Sequence, residues 1–303
     1  MKYIKEIAEF KAEQKSAVTL GKFDGVHRGH RKLIRRVLEA AGERQLTPTV
    51  FTFDVPPQAA LGAARFQTLM TNQERRDFLE QLGIQTLVEG HFSELKDMEA
   101  EAFVKEILVD RLKAVHFVVG PDFHFGKNRK GSPEFLKQLG ETLGFTVEIL
   151  SKEMDGERVI GSSYIREELR QGRIEKANQL LGYTYFITGQ VVHGRHQGSG
   201  FGFPTINLIP SPEKLLPPRG VYASRTKIAG KVYQGVSNLG VKPTVRGTFE
   251  GLETYLFRCD EDLYGQEARV ELLAFLRPEE KFPSVEALKQ QLRKDVKAAE
   301  QIF

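Results

Sequence analysis

The chain has 303 residues, of which 40% are hydrophobic and 28% are charged, and its formal net charge is +4. These values are typical of globular proteins, and no apolar run approaches the roughly 18 residues that a membrane-spanning helix needs, which argues against a membrane protein. A chain of this length has a prior of about two domains, each able to bury its own core, and we expect an enzyme.

The N-terminus and the cysteine content bear on location. Residues 1–6 lack the continuous apolar core of a signal peptide, and Cys259 is the sole cysteine, so an intrachain disulfide is excluded. Both features predict a cytoplasmic protein.

The small positive charge bears on partners. Five basic residues share one predicted helix flank and could form a nucleic-acid face, although such a flank is more often a solvated surface. They are Arg28, Arg31, Lys32, Arg35 and Arg36. The mild basic balance suits anionic small molecules at least as well, so we predict small-molecule partners and neither nucleic acid nor membrane. The sequence predicts no oligomeric state.

Strands and helices alternate through the first half of the chain. Apolar runs and helical spacing predict strands at 17–20, 48–53, 85–88, 114–119 and 145–150, and helices after the first strand and at 71–82, 99–112 and 133–143. This alternation predicts a Rossmann-like α/β domain, a parallel sheet with helices on both faces and ligands at the carboxyl ends of the strands.

Residues 21–30 lie where the first strand turns into a helix, and they contain His27 and His30 among three glycines. A helix N-terminus leaves backbone N–H groups unpaired and favours negative charge, so phosphates bind there. The two histidines would add adjustable donors. As a zinc site the pair lacks a matched third ligand, and the run fits neither G-x-G-x-x-G nor the P-loop.

Other polar residues follow later strands. Asp54 follows the second strand, Asp122 lies just after the strand that ends at Val119, and residues 161–166 run into a helix that continues through Leu180. In this segment Ser162 or Ser163 can cap the helix, and Arg166 can bind a phosphate with two N–H groups. Each of these residues alone would be an ordinary cap or surface residue.

Residues 21–30 read G-K-F-D-G-V-H-R-G-H and closely resemble the G-x-F-D-G-x-H-x-G-H signature of cytidylyltransferase-like nucleotidyltransferases. Residues 161–166 resemble the second signature of that family, a serine-rich turn before Ile-Arg. Residues 120–126 resemble a glycine-acid-Phe-x-Phe-Gly segment of its flavin-adenylating branch.

This resemblance implies a nucleotide site. His27 and His30 would contact the ATP phosphates and stabilise charge in the transition state, and Arg166 would complete the phosphate site. The remaining residues implied to bind the nucleotide are Gly21, Phe23, Asp24, Gly25, Gly29, Asp122, Ser162 and Ser163. A phosphate oxygen of the acceptor would attack the α-phosphorus of ATP, so no protein nucleophile is required.

One departure concerns the segment after the second strand. The flavin branch usually has Thr-Phe-x-Pro-His-Pro there, whereas residues 52–57 read T-F-D-V-P-P, with Val55 near the place of the expected histidine. Asp54 could supply hydrogen bonding at this position.

Beyond residue 183 the pattern changes to short strands broken by Gly and Pro, so we predict domains at 1–183 and 184–303. The predicted strands are 186–192, 221–227, 231–236, 254–257 and 268–275. They predict a small antiparallel barrel. Residues 285–302 predict a terminal amphipathic helix whose Leu288, Leu292 and Val296 could pack on the barrel.

Residues 194–207 carry several glycines followed by Thr205 and Asn207. Glycines let backbone amides reach phosphate oxygens, and an extended Thr-x-Asn places both side chains on one face, where their oxygens suit Mg²⁺. Composition alone favours a flexible loop between strands.

This segment resembles the riboflavin kinase loop that ends in G-F-P-T-A-N, and further matches to that family span the second half. The resemblance implies that Thr205 and Asn207 hold Mg²⁺-ATP and that Glu253 is the general base for the riboflavin 5′-hydroxyl, because an alcohol must lose a proton as it attacks. Further ligand-binding residues implied are Gly194, Gly198, Gly202, Pro204 and Asn238. Ser199, Phe201 and Tyr255 stand where Arg, Leu and His are usual.

In order and length the whole chain resembles the bacterial bifunctional riboflavin kinases and FAD synthetases. The resemblance implies phosphorylation of riboflavin to FMN and transfer of AMP from a second ATP to FMN, giving FAD and pyrophosphate, with Mg²⁺ or another divalent cation as cofactor. Loss of one activity, given Val55 and Ser199, is one alternative. A flavin-responsive RNA-binding regulator is another, although it leaves Glu253 and the Thr205/Asn207 pair without a role.

Overall fold

Alternating strands and helices form the first part of the chain, and a run of antiparallel strands forms the second. The computed structural model describes residues 1–54, 67–193, 205–244 and 247–303. The chain divides into two compact units, residues 1–162 and residues 163–303.

The first unit is built on a parallel sheet, as predicted. Within the described residues its six strands lie in the order β1-β4-β3-β2-β5-β6, and every pairing between them is parallel. The strands are β1 (Lys2–Ile4), β2 (Ser16–Leu20), β3 (Thr47–Phe53), β4 (Thr86–Gly90), β5 (Ala114–Val119) and β6 (Thr146–Ile149). The sequence pattern had not predicted β1. A short hairpin, β7 (Met154–Asp155) and β8 (Arg158–Val159), follows β6.

Among the described residues, helices connect these strands at the predicted places, and a single helical turn after β4 was not predicted. They are α1 (Arg28–Arg44), α2 (Asn72–Gln81), the single turn α3 (Phe92–Leu95), α4 (Ala100–Ala102) with its π-helical continuation Phe103–Arg111, and α5 (Pro133–Leu143). A 3₁₀ turn covers Lys127–Arg129. Thr71 and Glu74 form a capping box at the start of α2, and Ser132 caps α5. These are the side chains that satisfy the free N–H groups of a helix start.

Apolar residues cover both faces of the central strands. Val18 and Phe117 pack in one cluster with residues of the π-helical segment, whereas their neighbours Ala17 and Val118 pack in another with Val37 of α1. Alternate residues of a strand point to opposite faces, so the continuous apolar runs of β2 and β5 fit a sheet buried on both sides. The polar residues that follow the strands lie at the carboxyl edge of this sheet.

Two helices precede the barrel in the second part of the chain. The sequence predicted one helix carrying Leu169 and Ile174, but the structure has α6 (Ser162–Arg170) and α7 (Ile174–Leu181). Gly172 lies between them in the left-handed region with φ +74, and its N–H bonds to Leu169 O at 3.0 Å. This is a glycine C-terminal cap, which ends the first helix despite the continuing apolar spacing.

The chain divides into its two compact units after Ser162, whereas the change of sequence pattern predicts a domain boundary after residue 183. Asn178 of α7 explains the difference, because its Nδ2 donates to Leu272 O at 3.0 Å and its Oδ1 accepts from Tyr185 N at 2.7 Å. The helix pair thus packs on the strands that follow it. The boundary at 183 remains a prediction from the sequence.

The second unit contains a closed six-stranded barrel, with strand order β10-β13-β12-β11-β14-β9 and antiparallel pairings. The strands are β9 (Phe186–Val192), β10 (Thr205–Leu208), β11 (Gly220–Ile228), β12 (Lys231–Thr244), β13 (Gly247–Leu256) and β14 (Glu267–Pro278). The predicted barrel is confirmed, and β10 adds a strand at the Thr205/Asn207 segment.

The terminal helix, α8 (Val285–Glu300), is also confirmed. Val296 packs with Val221, Val236 and Ala274 of the barrel. Asp295 accepts both arms of the Arg277 guanidinium, at 2.9 and 2.7 Å, and is almost completely buried. The helix is therefore held on the barrel by one apolar stripe and one buried ion pair.

Candidate functional site

The loop between β2 and α1 has an unusual backbone. Phe23, Gly25 and Val26 have φ of 46, 80 and 32, in the left-handed region, and the side chains of Phe23 and Val26 are fully buried. A positive φ is unfavourable for a β-branched residue such as valine and costs on the order of 1–3 kcal/mol. The buried packing of the two side chains holds the loop in this shape in front of α1.

His27 and His30 lie at the N-terminus of α1 with their rings stacked, 3.8 Å between centroids. His27 is the residue that precedes the first turn, and no side chain caps this helix or places an acid in its first turn. A Cβ on Gly29 would lie 3.2 Å from Cε1 of His27, so glycine leaves room for the ring. The helix end therefore favours an anion and has two imidazoles beside it.

Burial lowers the pKa of His30 well below its usual range, and the neighbouring His27 lowers it further. The Nδ1 atom of His30 is buried and has no hydrogen-bond partner among the described residues. A neutral imidazole still donates one N–H, and an anion bound beside it would favour the protonated form. His30 is thus suited to respond to phosphate charge.

Asp24, one of the predicted nucleotide-binding residues, is buried and holds the loop. Its Oδ1 accepts from the N–H groups of Leu69 and Met70 at 2.8 and 3.4 Å, and its carbonyl oxygen accepts from Ser162 Oγ at 2.9 Å. The structure thereby brings Ser162 of the second signature to the loop of the first. Ser163 and Arg166 follow on α6 within the second unit, and their contacts with a nucleotide remain predictions.

Gly21 and Lys22 connect the loop to the neighbouring strand. Gly21 N–H donates to Phe51 O at 3.1 Å, and Lys22 O accepts from Thr52 Oγ1 at 3.2 Å and from the Arg75 guanidinium at 3.4 Å. These bonds fix the loop against the carboxyl end of β3.

A histidine that the sequence analysis did not select lies at the same edge. His91 directly follows β4, and its Nδ1 lies 2.7 Å from Asp54 Oδ2 after β3. Its position just after a predicted strand is the signal that could have identified it. Val55 and the neighbouring residue 56, where the family pattern has its histidine, lie outside the described residues.

Asp122 follows β5 and is exposed, and its Oδ2 lies 3.0 Å from Nζ of Lys152. Lys152 follows β6, so a lysine and an aspartate pair at the carboxyl edge. The role of Asp122 in nucleotide binding remains a prediction.

In the barrel, strand register brings the predicted kinase residues together. Asn207 of β10 and Asn238 of β12 each lie directly opposite Glu253 of β13. Directly opposed residues in an antiparallel sheet share a face. Thr205, two residues before Asn207, donates from Oγ1 to Glu253 Oε1 at 2.9 Å. Four polar side chains from three strands therefore form one group.

This group faces outward from the barrel. The adjacent residue, Thr254, is fully buried, and its hydroxyl and that of Ser224 each lie 2.7 Å from Ser237 Oγ. Since neighbouring residues of a strand point to opposite faces, Glu253 points away from this interior hydroxyl cluster.

Two cavities meet at Thr205. The first, of about 360 Å³, is lined by Thr205, Asn238, Glu253 and Tyr255 of the barrel and by Leu288 and Leu292 of α8. The second, of about 400 Å³, is lined by Thr205, Ile206, Leu256 and residues 259–264. A ligand in either cavity would contact Thr205, and a ligand in the first would also contact Glu253.

The donors in this group also fit a divalent cation. The hydroxyl of Thr205, the amide oxygen of Asn207 and the carboxylate of Glu253 are hard oxygen ligands, as Mg²⁺ prefers. Within the described residues no cluster of three or more His, Cys, Asp or Glu side chains could hold a metal. Such a sparse set suits a Mg²⁺ ion whose remaining ligands are phosphates and water. Gly194, Gly198, Gly202 and Pro204 lie outside the described residues.

Arg28, Lys32 and Arg36, three of the basic residues named above, have acidic partners close to α1. Arg28 lies 3.5 Å and Lys32 lies 3.2 Å from the carboxylate of Glu153, and Arg36 forms a two-pronged pair with Glu148 at 2.7 and 2.8 Å. Within the described parts of the chain, no helix combines the length and apolar character that crossing a membrane requires.

Comparisons with known proteins bear on both units. The family model of FAD synthetase matches residues 9–164, and that of riboflavin kinase matches residues 181–303. Each relative described below is similar along nearly its whole length.

A bifunctional riboflavin kinase/FMN adenylyltransferase of Haemophilus influenzae is 35% identical over 294 residues, covering 96% of this chain and 95% of the relative. A protein of the same name from Bacillus subtilis is 37% identical over 301 residues, covering 97% and 94%. A crystal structure from Streptococcus pneumoniae, which bears the name macrolide-efflux protein, matches with a TM-score of 0.88 at 30% identity and covers 98% of both chains. With both family models matched in order and relatives this similar over their full length, the chain belongs to the family of bifunctional riboflavin kinase/FMN adenylyltransferases.

Proposed function

We propose that this chain catalyses both reactions of its family at two separate sites. The barrel unit phosphorylates riboflavin to FMN with ATP, and the parallel-sheet unit transfers AMP from a second ATP to FMN, giving FAD and pyrophosphate. The observation that carries this proposal is the Thr205–Asn207–Asn238–Glu253 group, which unites a candidate base with candidate Mg²⁺ ligands.

In the kinase reaction Glu253 is the general base. The riboflavin 5′-hydroxyl enters the cavity beneath α8, where Leu288 and Leu292 offer an apolar wall to the flavin ring. Thr205 holds one oxygen of the Glu253 carboxylate by its 2.9 Å hydrogen bond. The carboxylate accepts the proton of the 5′-hydroxyl as that oxygen attacks the γ-phosphorus of ATP, and the bond from this phosphorus to the bridging oxygen breaks so that ADP leaves.

Thr205 and Asn207 are the residues that would hold Mg²⁺. When bound with ATP, the ion would neutralise charge on the phosphates. ATP enters the second cavity, whose lining shares Thr205 with the first, so the terminal phosphate can lie at Thr205 next to the alcohol. The glycines of the preceding segment would offer backbone N–H groups to the phosphates, and Pro204, which has no N–H, remains a ligand-binding residue implied by the resemblance alone.

In the adenylyl transfer no base is needed, because the attacking phosphate of FMN is already an anion near neutral pH. His27 and His30, together with the N-terminus of α1, stabilise the charge that develops on the leaving pyrophosphate. A low pKa in the free site keeps His30 neutral until phosphate charge arrives. Arg166 and the Ser162/Ser163 turn add donors to the same phosphates.

Gly25, Phe23 and Asp24 have a supporting role in this site. They hold the loop in the shape that places both histidines at the helix end. Gly29 leaves room for the ring of His27, and Gly21 leaves room for the ring of Phe23. Asp122 binds the nucleotide or flavin from the end of β5. A cytoplasmic location and the absence of nucleic-acid and membrane partners remain predictions.

One alternative retains the fold and loses one activity. It rests on Val55, Ser199 and Tyr255, which replace residues usual in the family. The discriminating experiment supplies purified chain with Mg²⁺-ATP and either riboflavin or FMN and follows flavin products by chromatography. FMN and then FAD from riboflavin, and FAD from FMN, support two active sites. No FAD from FMN would contradict the transferase assignment, and no FMN or FAD from riboflavin would contradict the kinase assignment.

A further inference from the structure

His91 has two carboxylate partners at the carboxyl edge of the parallel sheet. Its Nδ1 lies 2.7 Å from Asp54 Oδ2, and its Nε2 lies 3.2 Å from Glu6 Oε1. The two partners come from different segments, Asp54 from the end of β3 and Glu6 from the chain after β1. The side chains of His91 and Asp54 are 29% and 26% exposed, so the pair is partly accessible to water.

Asp54 is the point where several elements meet. Its N–H donates to Gly90 O at 3.2 Å, its carbonyl accepts from Asn72 Nδ2 at 2.7 Å, and its carboxylate also accepts from Phe92 N at 3.4 Å. These bonds join the end of β3 to the end of β4 and to the start of α2.

The same strand end is bonded to the loop that carries the two site histidines. Arg75 donates to Phe53 O at 3.1 Å and to Lys22 O at 3.4 Å, and Thr52 Oγ1 also donates to Lys22 O. Arg75 is buried in an ion pair with Glu89, which is itself buried. A continuous set of bonds therefore runs from His91 through Asp54 and β3 to the loop before His27.

A protonated imidazole suits this position. Its two N–H groups can donate to both carboxylates at once, whereas the neutral ring has only one donor. The hydrogen bond to Asp54, and then that to Glu6, raises the pKa of His91 above its ordinary value. No other charged partner of the ring is present among the described residues that contact it.

We propose that His91 is a positioning residue for adenylyl transfer, which in its charged form holds Asp54 and thereby keeps the end of β3 and the His27/His30 loop in register. It supplies an imidazole at the edge where the family sequence pattern expects one after β3, but from the neighbouring strand. This inference rests on the proposed transfer of AMP to FMN by the first unit.

The sign of the pH effect follows from the direction of the pKa shift. A raised pKa means that His91 keeps its charge to a higher pH than an ordinary histidine does, and that it loses this charge as pH rises through the raised value. Positioning should therefore weaken on the alkaline side, and adenylyl transfer should fall there while the kinase reaction does not share the change.

The test uses a matched pair of substitutions in the full chain, His91→Asn and His91→Leu. Asparagine keeps an N–H donor at the place of Nδ1 but does not titrate, and leucine removes the donor. The measurement is kcat and KM for FMN adenylylation between about pH 6 and about pH 9, with riboflavin phosphorylation in the same samples as the internal control.

We expect His91→Leu to lower kcat/KM for FMN adenylylation by about tenfold to 100-fold, as small displacements of positioned groups do. His91→Asn, which like the neutral ring keeps one uncharged donor to Asp54, should show across the whole range the lower activity that the wild type reaches at its alkaline end, and it should lack the alkaline decline. Asp54→Ala, which removes the acceptor oxygens, should match His91→Leu. All three variants should phosphorylate riboflavin at the wild-type rate.

Two results would overturn the proposal: a His91→Leu variant within about twofold of wild type, or a His91→Asn variant that keeps the wild-type alkaline decline. A fall in the unfolding midpoint with unchanged kinetics would also reject it in favour of a purely structural ion pair. If wild-type protein itself forms no FAD from FMN, the proposed adenylyl transfer fails instead, and the two failures are distinguished.

Discussion

Glu253→Gln is the sharpest perturbation of the kinase site. Glutamine keeps the size of the side chain and a carbonyl oxygen, so Thr205 Oγ1 can still donate across the 2.9 Å contact and the β10–β13 pairing is kept. What disappears is the ability to accept the proton of the 5′-hydroxyl. The substitution therefore removes the base with little change in packing.

The expected loss follows from this difference. A positioned general base contributes about 10²-fold to 10⁴-fold, so kcat for riboflavin phosphorylation should fall by that factor, or about 2.7 to 5.5 kcal/mol in activation free energy. KM for riboflavin should change little, because the lining from Tyr255 and α8 is untouched. FMN adenylylation by the same sample should equal the wild-type rate.

The assay is a discontinuous chromatographic measurement of FMN formed from riboflavin and Mg²⁺-ATP, with FAD formed from FMN as the control. Thr205→Val is the companion variant, since it removes the hydroxyl and leaves the carboxylate. A Glu253→Gln enzyme that keeps more than about one third of wild-type kcat would refute the role of Glu253 as base.

The remaining predictions concern the other site and the terminal helix. His30→Ala should lower kcat/KM for FMN adenylylation by about 10²-fold to 10³-fold, because one donor to the developing charge is lost. FMN should still accumulate from riboflavin. Unchanged FAD formation would exclude His30 from the site. Asp295→Ala should lower the free energy of unfolding in urea by about 3 to 5 kcal/mol, because it leaves Arg277 without its buried partner. It should also raise KM for riboflavin, because it loosens the cavity wall formed by Leu288 and Leu292. A cost below about 1 kcal/mol would mean that the ion pair does not hold α8.

The parallel-sheet unit was largely predictable because its information is local. The apolar run before Gly21, the helical spacing after it and the alternation through Leu150 fixed the element types, and the structure confirmed them. Residues such as Gly172 show the limit of periodicity, since its left-handed conformation ends α6 where the apolar spacing continues.

The barrel residues show a different limit. Their roles were predicted from the resemblance to riboflavin kinases. That Asn207, Glu253 and Asn238 lie side by side, however, depends on the register between strands that are far apart in sequence. A slip of one residue would turn Glu253 to the opposite face, and no local pattern determines that register. The role of His91 was not predicted for a related reason: its partner Asp54 follows a neighbouring strand, so the pair is not visible as a local sequence pattern.

The most direct test of two independent sites is a mixing experiment. Glu253→Ala and His30→Ala proteins are each supplied with riboflavin and Mg²⁺-ATP, alone and then together, and FAD is measured. Within one assay time neither variant alone should form more than traces of FAD, because the first makes little FMN and the second accumulates it. The mixture should form FAD, since FMN released by the His30→Ala protein is adenylylated by the Glu253→Ala protein. A mixture that forms no FAD, while each variant remains folded and keeps its other activity with supplied substrate, would contradict two separate sites that share FMN through solution.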